Sequence, residues 1–145
     1  MSDGDASSIQ AYKLDEQIGF LLRLTSQRHT GIFSDLMFAD LTPTRFSAMA
    51  KLYEKGSLSQ NELGRQTAMD VATIKGVVDR LRDRGLVAAT PDPDDARRQR
   101  INLTPSGIKL IKQAIPLASD ITEKTLEPLT EKEVQTLKRL LTRIA

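Results

Sequence analysis

The residues best suited to chemistry are an acid and two arginines in close succession, Asp95, Arg97 and Arg98. A carboxylate two residues before an arginine can hold the guanidinium in a fixed fork, aimed outward. The run before them, Pro91-Asp92-Pro93-Asp94-Asp95, predicts irregular structure, because proline removes donors and fixes φ. Leu86-Val87-Ala88-Ala89 reads as a short strand on one side. Arg100-Ile101-Asn102-Leu103 resumes alternation on the other and reads as the return strand. The arginines therefore sit on the tip of a hairpin. Carried there, arginine can reach the minor groove of duplex DNA, where the potential is negative.

The elements that would position this hairpin lie just before it. Ser59 is a good N-cap, and Glu62 three residues on gives the spacing of a capping box, with Leu58 and Leu63 as a hydrophobic staple. A helix is predicted from Gln60 to Thr67, then a turn at Ala68-Met69. Asp70 caps a second helix in which Ile74, Val77, Val78 and Leu81 recur at helical spacing and face inward. Gly85 suits the position that ends it. Its outward residues, Ala72, Thr73, Lys75, Gly76 and Arg80, are small or positive, which lets the backbone approach a groove floor. Two short helices joined by a turn can place the second in a major groove. Ser59, Gln60, Ala72, Thr73, Lys75, Gly76, Arg80, Asp95, Arg97, Arg98 and Arg100 are the candidate DNA-binding residues.

Around this unit lie longer helices. Helical periodicity runs from Leu14 to about Met37, with Ile18, Leu21, Leu22, Ile32, Phe33 and Leu36 on one side. Thr42-Pro43 starts another helix, which Gly56 ends, and Thr104-Pro105 repeats the start signal. Pro116 is expected to kink or divide the helix that follows. Thr130 with Glu133 is a second capping box, opening a last helix that carries Val134, Leu137, Leu140, Leu141 and Ile144. A chain of 145 residues would struggle to cover both terminal stripes, so a homodimer through interleaved terminal helices is expected. A twofold dimer would meet half-sites about 34–36 Å apart, on an imperfectly palindromic operator.

The combination resembles the MarR family of bacterial transcription regulators. The matching pieces are Leu41-Thr42-Pro43, Leu58-Ser59-Gln60 with Leu63, Asp70 with Thr73, and Val78-Asp79-Arg80-Leu81. Gly85-Leu86-Val87 and Asp95-x-Arg97 followed by Leu103-Thr104-x-x-Gly107 complete the pattern. The resemblance implies a mainly α fold, a winged helix-turn-helix with long N- and C-terminal dimerisation helices and a small β-hairpin wing. It divides one domain, 1–145, into a flexible tail at about 1–12, dimerisation helices at 13–40 and 105–145, and a DNA-binding unit at 41–104. The chain departs from the family at Gly76, Ala89 and Ala96, where arginine is common. Lys75, Arg98 and Arg100 are the cations available to compensate.

Regulators resembling this one commonly release DNA when a small molecule enters between the dimer helices and the reading unit. His29, the sole histidine, lies on the apolar side of the first long helix. With Arg23, Gln27, Phe33, Phe46 and Met49 it forms the candidate ligand site, whose chemistry suits an aromatic carboxylate. Gln27-Arg28-His29, together with Thr67-Ala68-Met69-Asp70 and the run from Thr73 to Leu81, resembles a branch that includes repressors of nicotinate and other aromatic-acid catabolism. The expected function is a dimeric, sequence-specific repressor released from DNA by a small aromatic acid. The alternative is a winged-helix scaffold that binds protein and not DNA, which would have no use for the Asp95-x-Arg97 tip.

Composition sets limits. Net charge is only +2, and between Lys75 and Arg100 seven basic residues meet five acidic ones, so pattern more than charge carries the DNA argument. A hydrophobic content of 39% and a charged content of 28% suit a soluble globular protein. No run of 18 apolar residues suggests a membrane span, and the polar start MSDGDASS reads as neither signal nor transit peptide, so the cytoplasm is expected. Cysteine is absent, which excludes disulfides and thiol redox switches. With one histidine, no glycine-rich phosphate loop and no metal-spaced cluster, neither enzyme activity nor a cofactor or metal is expected.

Overall fold

The computed structural model describes residues 3–145. Its elements are α1 (Asp3–Ala11), a 3-10 turn (Leu14–Glu16), α2 (Ile18–Leu36), α3 (Pro43–Lys55), α4 (Gln60–Gln66), α5 (Val71–Asp83), β1 (Val87–Pro91), β2 (Gln99–Leu103), α6 (Pro105–Leu126) and α7 (Glu131–Ile144). The expected tail at 1–12 is only partly described. Residues 1 and 2 lie outside the described residues, and from Asp3 the chain is helical, with residues 6–11 exposed. Beyond Gly4 nothing in this stretch breaks a helix, although no burial supports it.

Helix starts follow side-chain capping. Asp70 Oδ1 accepts the Thr73 backbone N–H at 2.7 Å, and Thr130 Oγ1 accepts that of Glu133 at 3.2 Å. Glu133 reaches back to the Thr130 N–H at 2.9 Å, completing the capping box expected there. At Ser59 only half of the expected box forms. Ser59 Oγ accepts the Glu62 N–H at 3.2 Å, but the Glu62 carboxylate turns to Arg65 and Gln66. A guanidinium one helical turn away attracts the carboxylate more strongly than a neutral N–H does.

Two prolines behave differently from expectation. Pro91 closes β1, paired with Gln99, in a two-stranded antiparallel hairpin that registers Val87 with Leu103. At the end of a strand with no further neighbour, its missing N–H costs no ladder bond. Pro116 does not divide α6, which runs unbroken from Pro105 to Leu126. Ile111 and Ala114 before it and Ile121 after it are all buried, so packing holds both halves in line.

One apolar core joins α2, α3, α4, α5, the hairpin and α6, with Met49, Leu63, Ile74, Val78, Leu81, Ile101, Ile111 and Ile121 almost fully enclosed. The inward face of α5 is the expected Ile74, Val77, Val78 and Leu81. Leu58 pairs with Ile101 as an isolated bridge, adding a short third edge to the hairpin. The terminal stripes are left bare. No residue of α7 is buried, and Ile18, Leu21, Leu22, Leu140, Leu141 and Ile144 are all exposed. Among the described residues no helix is long and apolar enough to cross a membrane.

The hairpin meets α6 at a tight junction. Thr104 donates its N–H to Leu86 O at 3.0 Å and its hydroxyl to Gly85 O at 2.6 Å. A Cβ added to Gly107 would lie 2.1 Å from that same Leu86 oxygen, a backbone atom that cannot turn aside. Alanine favours helix over glycine by about 1 kcal/mol. Gly107→Ala is nevertheless expected to destabilise the chain by about 1–3 kcal/mol, as overpacked sites do. Urea denaturation checks this, and a raised midpoint would contradict the tight junction.

Candidate nucleic-acid interface

The tip of the hairpin is built by its own hydrogen bonds. Asp92 N–H donates to Arg98 O and Arg98 N–H to Asp95 O, each at 2.9 Å. Asp95 then holds Arg97 three times. Its Oδ1 accepts the Arg97 backbone N–H and Nε–H, both at 3.1 Å, and its Oδ2 accepts Nη2–H at 3.2 Å. These bonds, the side-chain ones first, hold the Asp95 carboxyl below the usual aspartate range. The Arg97 side chain is 91% exposed, so the fork sets its direction without hiding it. Arg98 is also exposed and approaches Asp95 loosely, at 3.9 Å.

Arg100 is placed elsewhere. Its Nε–H donates to Ser57 Oγ at 2.9 Å, one Nη to Ser57 O at 2.6 Å, and the other to Asp92 Oδ2 at 3.5 Å. The guanidinium fastens the base of the hairpin to the loop before α4. Position on β2 decides this, since Arg100 stands one residue from Ile101, which pairs with Leu58. Arg100, expected at the DNA surface, is thus engaged in holding the base of the hairpin and keeps about a third of its side chain exposed.

On α5 the expected outward residues Ala72, Thr73, Lys75, Gly76 and Arg80 are all placed away from the core and exposed. A Cβ at Gly76 would meet nothing within 4 Å, so the helix presents bare backbone there. Lys75 Nζ lies 2.8 Å from Asp79 Oδ2 and holds that carboxyl below its usual range. Arg80 has no ion-pair partner among the described residues. Ser59 caps α4, and Gln60 opens it half-buried. Ala68, with φ of 55°, makes the turn between α4 and α5 as expected.

Sequence reasoning missed three parts of this surface. Ser57 receives Arg100, as above. Arg84 Nη1 reaches Asp40 Oδ2 at 2.9 Å, tying the end of α5 to the loop after α2. Val71, the first residue of α5, falls off the inward stripe and stands exposed. Only Val71 left a signal, its place directly after the Asp70 cap.

The candidate ligand residues divide. His29, Phe33 and Phe46 line a cavity of about 190 Å³ with Pro43, Ser47, Ala118, Ile121 and Thr122, between α2, α3 and α6. The Phe33 and Phe46 rings meet edge to face, 6.1 Å between centroids. His29 Nδ1 lies 2.8 Å from Thr125 Oγ1, which itself donates to Ile121 O at 2.8 Å. That hydroxyl proton is thus committed, and Nδ1–H must be the donor to Thr125. Arg23, Gln27 and Met49 do not reach the cavity. Arg23 lies over the Phe20 ring at 5.7 Å, Gln27 is exposed, and Met49 is fully buried in the core. Gln27, two residues before His29, and Arg23, six before it, point to other sides of α2 at helical spacing. Arg28 spends its guanidinium on Thr125 O and Lys124 O, at 2.6 and 3.2 Å.

A helix-turn-helix followed by a hairpin with an arginine tip, set between long terminal helices, defines the class of winged helix-turn-helix proteins. The sequence pattern of the MarR family matches residues 41–98. The HTH-type transcriptional repressor NicR of Pseudomonas putida is 42% identical over 123 residues, 84% of this chain and 78% of its own. The chain belongs to the MarR family, whose members here are transcription regulators and not enzymes. The structure of BpsR from Bordetella bronchiseptica, whose DNA binding is regulated by 6-hydroxynicotinic acid, is similar with a TM-score of 0.88 and 36% identity, over 92% of this chain and 96% of that one. A MarR variant from Escherichia coli complexed with operator DNA matches with a TM-score of 0.81 and 25% identity, over 88% and 92% of the two chains.

Proposed function

We propose that this regulator is a homodimeric repressor that grips a palindromic operator with α5 and the wing and is released by a small aromatic acid. The observation that carries the DNA half is Arg97, fixed in a fork by Asp95 yet almost wholly exposed beside the bare outer face of α5. A preformed cation loses little freedom on binding, and a protein scaffold would have no use for it. The likeness to a MarR variant complexed with operator DNA supports the same reading. Ser59, Gln60, Ala72, Thr73, Lys75, Gly76, Arg80, Asp95, Arg97 and Arg98 form the proposed DNA surface. Arg100 and Ser57 hold the wing to the loop before α4.

Exposed apolar residues on α2 and α7 support the dimer, because a surface carrying Ile18, Leu21, Leu22, Leu140, Leu141 and Ile144 calls for a partner. A second copy of the chain presents the same stripes and buries both at once.

The effector half rests on the cavity at His29. Its volume of about 190 Å³ suits one aromatic ring rather than a drug-sized ligand. With Nδ1–H given to Thr125, the neutral imidazole offers Nε2 as an acceptor for a ring N–H or hydroxyl. Ser47 and Thr122 add hydroxyl groups. A hydroxynicotinate-like acid has this shape and these groups, and BpsR answers to 6-hydroxynicotinic acid. The cavity lies between α2 and α6, which carry the terminal helices, and α3, which packs on α5 in the common core. Filling it alters the spacing of the two α5 helices, and about 1–3 kcal/mol of coupling is ordinary for such a switch.

The test is fluorescence anisotropy on DNA from upstream of the protein's own gene, with and without 6-hydroxynicotinic, nicotinic and 4-hydroxybenzoic acids. Release by one acid, and its loss in His29→Phe, is the expected result. Tight binding that no acid disturbs would remove the effector and leave the DNA reading.

Gly76→Ala separates stability from binding. Gly76 is exposed, so the substitution is expected to stabilise α5 by up to about 1 kcal/mol. It should also weaken operator binding, because the added methyl holds the backbone off the groove floor. Thermal melting and anisotropy read the two effects. Unchanged affinity would place that face away from DNA.

A further inference from the structure

We infer that Val71 reads the methyl group of a thymine in each operator half-site. The inference rests on the DNA reading above and names one base contact within it. Val71 is 72% exposed, and no large apolar side chain among the described residues is more so. Most of the other strongly exposed apolar residues, Ile9, Tyr12, Ile18 and Ile144 among them, lie on the terminal segments, where a second copy can cover them. Val71 belongs to the reading unit, which that interface does not explain.

Its position gives it a direction. Asp70 caps α5 through the Thr73 N–H, so Val71 is the first helical residue. Cα–Cβ bonds tilt toward the helix N-terminus, and the first side chain therefore projects past the end of the helix. Recognition helices present their N-terminal residues to base edges in the major groove. The isopropyl group has no hydrogen-bonding atom, so it can read only an apolar feature. The thymine C5-methyl is the one apolar group that base edges display in that groove. Val71 borders a hollow with Asn61, Gly64, Met69 and Ile74 but does not fill it, since most of the side chain stays exposed. The neighbouring outward residues Ala72 and Thr73 are small and leave Val71 free to reach furthest.

The test begins with a duplex selected by the wild-type protein from a random-sequence pool. Each thymine of that duplex is then replaced singly by deoxyuridine, which deletes only the methyl. Wild type is expected to bind about fourfold more weakly when one particular thymine of a half-site is replaced, the value of one buried methyl-sized group. Val71→Ala should bind the parent duplex about fourfold more weakly for each half-site affected, and be indifferent to deoxyuridine at that same position. Val71→Thr, nearly the same shape, checks that folding is not the cause, and it should keep the wild-type melting temperature. Specific binding that no deoxyuridine weakens, or equal weakening in wild type and Val71→Ala, would overturn the assignment alone. If selection returns no sequence, the DNA reading fails and the assignment fails with it.

Discussion

Arg97→Ala is expected to weaken operator binding about a hundredfold with no change in melting temperature. A hydrogen bond involving a charged group contributes about 1.5–3 kcal/mol when made without loss of order. A dimer would lack one such cation on each of two wings, and about 1.4 kcal/mol per wing multiplies to a hundredfold. Stability should hold because the Arg97 side chain is 91% exposed and, among the described residues, pairs only with Asp95, and exposed pairs contribute little to folding. The salt dependence should flatten by about 0.9 in log–log slope for each phosphate that is no longer neutralised. Asp95→Asn sharpens the point. It removes a negative charge near DNA, which alone would raise affinity. A fall of severalfold would show that the carboxylate acts by holding the Arg97 fork, as its three hydrogen bonds suggest. A rise would mean that net charge, not orientation, governs the wing.

The second large effect concerns α7. Leu140→Glu with Leu141→Glu is expected to yield a folded monomer that binds operator about a hundred- to ten-thousand-fold more weakly, the range expected when two linked sites become one. Folding should survive because no residue of α7 is buried within the chain. Sedimentation gives the mass, circular dichroism the helix content, and anisotropy the affinity. A dimer that persists would move the interface away from α7. A monomer that binds as well as wild type would show that DNA is read by single chains.

Much of the site is legible in the sequence. Local chemistry is the readable kind. Asp70 needs only the N–H three residues on, and Asp95 only the arginine two residues on, so spacing settles both. The inward face of α5 follows from period alone. Sequence reading fails where a distant partner decides. Arg100 looks like one more wing cation, but it meets Ser57, 43 residues away in sequence. Pro116 carries a local signal to break a helix, and the packing of Ala114 and Ile121 overrules it. Arg23 and Gln27 share a segment with His29 but not a face of α2, and Met49 lies too deep in the core to border the cavity. Glu62 has the spacing of a capping box, and a nearer cation takes it.

The measurement that tests sequence-specific regulation most directly is an anisotropy titration on a duplex selected by the protein, run over a salt series beside a scrambled duplex of equal length. The expected result is nanomolar binding, two chains per duplex, steep weakening with salt, and at least about a thousandfold preference over the scrambled sequence. Equal affinity for both duplexes, or none for either, would contradict a sequence-specific regulator.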